Sequence, residues 1–255
     1  MKEIKLYKYL DTQGGLAMLR NGNIQFTNAT KLNDPFDCHP SLIDFSQVPI
    51  ERARTWGKKA IMDLESNRFE RYRNNTWLCS LSRNYDSLLM WSYYNCHKGI
   101  CIGIDMEKAD KYLSCIEGTI ILGYLKLEVQ YKDIIEKPDF FKKNEDLWTY
   151  QLSTKGKAWE HEQEVRLVIV DPSSEMTSSY VPKDFQNKEI VDYKEIRFIP
   201  KIGGECYDSV YLGVNIDDEM RTKIIHAAQT LNPKIKIYQM KVDANAFKLQ
   251  AEPLN

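Results

Sequence analysis

Apolar and polar positions along this chain divide it into short strands and a few helices. Thr76-Trp77-Leu78-Cys79-Ser80-Leu81-Ser82 alternates apolar with small polar residues, the period-two pattern of a half-buried strand. Ile100-Cys101-Ile102-Gly103-Ile104 is an uninterrupted apolar run of the length of a buried strand. Residues 6–10, 24–27, 209–214 and 235–240 read as further strands, and a longer one is expected within 118–131. Helices are predicted at 16–20, opened by Gly14-Gly15, and at 87–96, with Gly99 placed as the C-terminal cap. Two more are predicted at 139–158, striped by Leu147, Tyr150 and Leu152, and at 217–231, capped by Asp217 and stopped by Asn232-Pro233. Residues 49–73 form a charged helical region that reads as solvated rather than core. Residues 30–40 are a loop carrying Asn33-Asp34-Pro35-Phe36.

No Gly/Ser-rich or Pro-rich linker, repeat or low-complexity tract interrupts the 255 residues. The economical expectation is one α+β domain with a sizeable core.

The stretch that resists a purely structural explanation is Trp159-Glu160-His161-Glu162-Gln163-Glu164-Val165-Arg166-Leu167-Val168-Ile169-Val170. Acidic residues and an arginine run directly into an apolar, β-branched strand. If that strand starts early, alternation puts Glu162, Glu164 and Arg166 on one face and Val165, Leu167 and Ile169 on the other. Charged groups at the mouth of a buried strand are costly unless paired or used. The stretch therefore asks for an ion-pair network or a site that handles positive charge. A plain charge ladder is the competing explanation, but it supplies one arginine for two glutamates that repel at i and i+2.

Composition narrows the picture. The net charge of −1 gives no global electrostatic case for nucleic acid, leaving only local basic patches. Fifteen tyrosines and five tryptophans suit packing, and also stacking on a flat ligand. The start of the chain is charged and lacks the apolar core of a secretory signal, and no run reaches the length of a membrane span. A cytoplasmic location is expected, with Cys38, Cys79, Cys96, Cys101, Cys115 and Cys206 as free thiols. Cys38-His39 and Cys96-His97 lack the paired spacing of a structural zinc site, so no metal is expected.

Taken singly, the remaining signals are weak. Ser80 and Ser82 share a strand face, but no G-x-S-x-G elbow accompanies them. Gly99 and Gly103 do not make a dinucleotide fingerprint, and there is no P-loop. His97 suits a helix C-terminus as well as a general base. The two glutamates lack the separate carboxylate partner that glycosidase chemistry uses.

Taken together they carry a resemblance. Leu6-Tyr7-Lys8-Tyr9, Asn33-Asp34-Pro35-Phe36, Ser80-Leu81-Ser82 and Leu89-Met90-Trp91-Ser92-Tyr93-Tyr94 occur in that order. His97-Lys98-Gly99-Ile100-Cys101-Ile102-Gly103-Ile104-Asp105 and Lys155-x-x-x-Trp159-x-x-Glu162-x-Glu164-x-Arg166 follow. From about residue 6 to 240 the chain resembles the bacterial family named domain of unknown function 2971, a name that carries no activity. The order of parts is also similar to the ADP-ribosyltransferase superfamily. Its members use a basic or polar residue on an early strand, a small hydroxyl motif on a middle strand and a glutamate on a later one. The matching positions are Lys8 (or Tyr7 or Tyr9), Ser80 with Ser82, and Glu164. Leu81 at the centre of the hydroxyl motif and a lysine at the basic position depart from the usual pattern.

That second resemblance implies a split β-sheet core flanked by helices, NAD as substrate and no metal. Glu164 would stabilise the oxocarbenium-like transition state, and Glu162 would take a proton from the incoming nucleophile. Lys8 would meet the pyrophosphate, while Tyr7, Tyr9, Trp91 or Tyr94 would stack on nicotinamide or adenine. Asn33 and Asp34 would lie over the cofactor with His97 also in its reach, and Arg166 would pair with a glutamate or with phosphate. The acceptor is expected to be nucleic acid (RNA or DNA) rather than protein, with no membrane partner. By analogy the chain would be a toxin of a toxin–antitoxin or antiphage system, with an antitoxin protein as partner. A nucleotide-binding sensor without turnover, an NAD glycohydrolase and a phosphotransferase remain open as alternatives.

Overall fold

Most of the strands anticipated from the apolar pattern form, and they lie in one mixed sheet. The computed structural model describes residues 5–114, 124–142, 146–170 and 197–254. In chain order its first half holds β1 (Lys5–Leu10), α1 (Thr12–Asn21), β2 (Thr27–Asn28), α2 (Ile50–Trp56), α3 (Lys58–Asn74) and β3 (Thr76–Ser82). Then come α4 (Leu88–Asn95), β4 (Ile100–Asp105), α5 (Met106–Leu113), β5 (Leu125–Glu128), β6 (Gln130–Lys132), α6 (Leu147–Ser153) and β7 (Thr154–Gly156). β8 (Glu164–Val170), β9 (Tyr207–Leu212), α7 (Asp218–Leu231), β10 (Lys236–Val242) and β11 (Leu249–Pro253) complete it.

The main sheet runs β11-β10-β9-β4-β1-β3-β8-β5, with β2 also paired to β3. Its neighbours are antiparallel except β9 and β10, which are parallel and joined through α7, the crossover such a pair requires. β6 and β7 form a small separate pair. Alternation sorts the side chains. Leu6, Ile102, Ile104 and Val210 share a cluster with Leu16 and Leu19 of α1, Met106 of α5, and Ile224 and Ala228 of α7. Tyr9, Cys101, Tyr211 and Met240 belong instead to a second cluster, with Met90 and Trp91 of α4. The α+β class therefore stands, in a single domain. No helix among the described residues is long and apolar enough to cross a membrane.

Local chemistry sets the element ends. Asp11 accepts from the amide of Gly14 at 2.6 Å and starts α1 four residues earlier than its glycines suggested. Gly15 lies inside that helix because a Cβ there would come 2.3 Å from Ile100 Cδ1. α4 is capped by Ser87 and closes at Cys96 in the left-handed conformation (φ 51°), so Gly99 is not its cap. Gly99 is a contact residue: a Cβ would lie 2.1 Å from the carbonyl oxygen of Leu10.

Several expected elements are redrawn. The helix predicted over 139–158 is only α6, because after Ser153 the chain extends to pair with β6 and buries Thr154 and Lys155. The strand sought in 118–131 is split at buried Val129 into β5 and β6, and residues 118–123 of it, like Cys115 before it, lie outside the described residues. Ile24 and Phe26 are buried without a ladder, their amides donating to the carbonyls of Pro200 and Phe198. β11 was not anticipated.

Gly99→Ala is expected to lower stability by about 2–3 kcal/mol, because backbone rather than a flexible side chain opposes the added methyl. Gly156→Ala has room, with nothing nearer than Trp159 Cδ1 at 4.0 Å, and should change stability by less than about 0.5 kcal/mol. Denaturant titrations of the two variants measure both.

Candidate functional site

The sheet parts between β1 and β3. β1 is in register with β4 over residues Lys5 to Leu10, and β3 with β8 over Thr76 to Ser82. Between them β1 and β3 share the single pair Tyr7↔Ser82. Beside it the carbonyl of Ser80, not taken up by a β1 amide, accepts from Lys8 Nζ at 2.8 Å. The parting opens a cleft of about 240 Å³. Tyr7, Lys8 and Tyr9 line it from β1, and Ser80 and Ser82 from β3. Lys31, Asn33 and Asp37 come from the loop after β2, Tyr94 from α4, and Lys155, Glu162 and Glu164 from the segment around β7 and β8.

The floor is a buried ion network. Arg166, with no exposed surface, holds both oxygens of Glu164, Nε to Oε1 at 2.9 Å and Nη2 to Oε2 at 3.0 Å. Its other contacts are Asp37 Oδ1 at 2.6 Å, the carbonyl of Leu152 at 2.7 Å and Cys38 Sγ at 3.4 Å. Lys155 Nζ reaches Glu162 at 2.5 Å, Glu164 at 3.1 Å and Asp37 at 3.5 Å, and lies 5.0 Å from the Trp159 ring centre. Tyr94 donates its hydroxyl to Glu162 Oε1. The Ser82 hydroxyl donates to the Glu162 carbonyl at 2.7 Å, and the Glu164 amide donates to Tyr131 Oη at 2.8 Å. Three carboxylates therefore face two buried cations.

The two glutamates meet by a route that simple alternation does not describe. β8 begins at Glu164, and Glu162 ends a 3-10 turn, Lys157–Glu162. Gln163 between them adopts φ 43° and ψ 53°. That left-handed residue turns the chain so that both carboxylates converge on Lys155. Glu160 faces solvent.

Burial raises the affinity of the Glu164 carboxyl for a proton, but Arg166, Lys155 and hydrogen bonds from Arg166 and Ser80 outweigh it. Glu164 is held well below the ordinary carboxylate range and stays charged. Burial opposes the Lys155 charge, while Glu164, Asp37 and Glu162 together hold its pKa above the usual lysine value. Burial pushes the Tyr94 phenol up, and the charge of Glu162 adds to it. Burial also pushes the Cys38 thiol up to about 12, so it is not a nucleophile here.

Of the residues singled out from sequence, Tyr7, Lys8, Tyr9, Asn33, Ser80, Ser82, Tyr94, Glu162 and Glu164 line this cleft. Four do not. Asp34 is buried and its carboxylate accepts from the amide of Phe36 at 2.9 Å, which makes it a turn residue. Trp91 is fully buried edge-on to Tyr9, with its indole donating to the Tyr85 carbonyl at 2.7 Å, so no ring face is left for a ligand. His97 lies in a separate cavity with Val214 and the β10–β11 loop. Arg166 lies beneath the floor, saturated by protein partners, and cannot reach a phosphate. Asp37, Lys155 and Lys31 were overlooked. Lys155 was visible within its motif, but nothing local showed that it folds inward.

In comparisons with known proteins, no family model, no curated protein and no solved structure matches this chain.

Lys155→Met should cost about 3–5 kcal/mol, since it leaves three carboxylates facing one buried cation, and urea unfolding monitors it. The depressed Glu164 pKa fixes the sign of the pH dependence. Its stabilisation is complete above the ordinary value of 4.5 and is lost as pH falls below it. Unfolding free energies across this range should fall steeply for the parent and less steeply for Glu164→Gln. The slope that remains belongs to other depressed carboxylates such as Asp44 and Asp105.

Proposed function

We propose that the cleft binds NAD and that the protein transfers ADP-ribose from it to an intracellular macromolecule, with nucleic acid favoured over protein. One observation carries this reading: Lys8, Ser80 with Ser82, and Glu164 stand on β1, β3 and β8, three adjacent strands, around a single opening. That is the basic, hydroxyl and glutamate order of the ADP-ribosyltransferase resemblance. Kinship with the domain of unknown function 2971 family is part of the same proposal and rests on the sequence blocks. The cleft is smaller than the roughly 300–1,000 Å³ of sites for drug-sized ligands. It suits the nicotinamide-ribose end of a dinucleotide, with Lys8 and Lys31 towards the phosphates.

The chemistry requires the bond from ribose C1′ to the nicotinamide nitrogen to break. The electron pair leaves with neutral nicotinamide, and positive charge develops on the ribose. Glu164, kept ionised, faces that charge, and the excess of carboxylate over cation on the floor favours it. Glu162 accepts the proton of the attacking group as the new bond to C1′ forms, relayed through the Tyr94 hydroxyl that already donates to it. Tyr7, half-buried at the rim, offers a ring to the nicotinamide.

A second reading, a nucleotide sensor without turnover, is favoured by the saturation of the floor, where the side chains of Glu162 and Glu164 are only 4 % and 3 % exposed. One experiment separates the two. The protein is incubated with NAD and with RNA, DNA or lysate, and released nicotinamide and labelled acceptor are read by mass spectrometry. Glu164→Gln is expected to slow release about 10²–10³-fold. Binding without release by either protein supports the sensor, and absence of NAD binding by both refutes the site.

A further inference from the structure

The charged helical region that the cleft leaves unused is the α2–α3 hairpin. α2 buries none of its residues, and α3 buries only Ile61, Glu65 and Phe69. Phe69 stacks on Trp148 and meets Phe45 edge-on, which anchors α3 and turns its opposite face outward. Residues 50–74 carry seven basic and four acidic side chains in a chain whose net charge is −1. Two of the acids are engaged, Glu65 by Arg52 at 2.8 Å and Glu70 by Arg73 at 3.8 Å. Arg54, Lys58, Lys59, Arg68 and Arg71 are exposed and form no ion pair among the described residues. Against them the exposed acids on the hairpin are Glu51 and Asp63. At the corner, between Arg54 and Lys58, the Trp56 indole is 72 % exposed.

Exposed cations around an exposed ring are what a single-stranded nucleic acid uses. The cations meet its phosphates, and the ring stacks on an unpaired base. An acidic peptide would use the cations but give the indole no flat partner. The position also fits. α3 extends about 25 Å from that corner to the turn that feeds β3, and it packs against the 3-10 turn Ala29–Lys31, whose Lys31 lines the cleft. Arg68 and Arg71 lie towards the cleft end of the same helix.

We infer that the α2–α3 hairpin is a docking surface for single-stranded nucleic acid, gripping phosphates with Arg54, Lys58, Lys59, Arg68 and Arg71 and stacking a base on Trp56. The strand then runs along α3 towards the cleft. This deepens the proposed function by naming its acceptor, and it rests on that reading only for what happens at the cleft. Binding itself is measured without NAD, so the two ideas fail separately.

The test is fluorescence anisotropy of the full chain with labelled single-stranded and duplex RNA and DNA oligonucleotides, over a range of salt. Binding should prefer single strands. Trp56→Ala should weaken it about 5- to 100-fold. Arg54→Ala/Lys58→Ala/Lys59→Ala should weaken it further and lower the slope of log affinity on log salt by about 2. Because Arg54, Trp56, Lys58 and Lys59 are all exposed, both variants should keep the parent melting temperature and the parent rate of nicotinamide release without acceptor. No binding by the parent at low salt, equal binding by the variants, or equal affinity for duplex overturns the inference. Binding of an acidic peptide in place of the oligonucleotide overturns it too.

Discussion

The interaction on which this architecture depends is the burial of Arg166. A guanidinium removed from water must find partners for its donors, or the cost of taking it there is not recovered. Here the partners come from three separate parts of the chain: Glu164 on its own strand, Asp37 in the loop after β2, and the Leu152 carbonyl at the end of α6. The arginine is thus a clamp that draws a loop and a helix end down onto β8. The cleft floor is the upper surface of that clamp. Glu164 is shared between Arg166 below and Lys155 beside it, which orients its carboxylate and keeps it charged.

The parting of the sheet is the second constraint. A continuous ladder from β1 to β3 would close the cleft and leave Lys8 no carbonyl to reach. One registered pair holds the two halves in line, and the lysine spans the gap beside it. The split is backed on the β1–β4–β9 side by Tyr7, Tyr85 and Tyr211. Tyr85 and Tyr211 stack at 4.4 Å, and Tyr7 meets Tyr85 at 5.5 Å. An edge that has lost ladder partners is in this way given aromatic support.

Strand positions were the legible part of the chain, and so were the site residues that strands present. Ser80, Ser82 and Glu164 could be given a face because alternation assigns one once a strand is recognised, whereas Lys8 was singled out only by the resemblance. Helical phase and loop packing were not legible. Trp91 and His97 sit on a helix and its end, and which way they point depends on how α4 docks against β1, information held far away in sequence. Lys155 reads as an ordinary surface lysine until β7 pairs with β6 and turns it inward. Asp37 hides behind the more conspicuous Asn33-Asp34-Pro35, although it is Asp37 and not Asp34 that faces the charges. The convergence of Glu162 and Glu164 was anticipated for a different reason than the true one, since a left-handed Gln163, and not a strand pleat, brings them together.

Consider last the unequal count of charges beneath the cleft. Asp37, Glu162 and Glu164 cannot be dehydrated one at a time, because each relies on a cation that the others also hold. The loop after β2, the α6–β7 segment and the start of β8 must therefore dock in concert. A chain assembled this way has no half-built version of the site. The floor is either complete or open to water, so local order at the cleft is switched as one cooperative unit and not graded residue by residue.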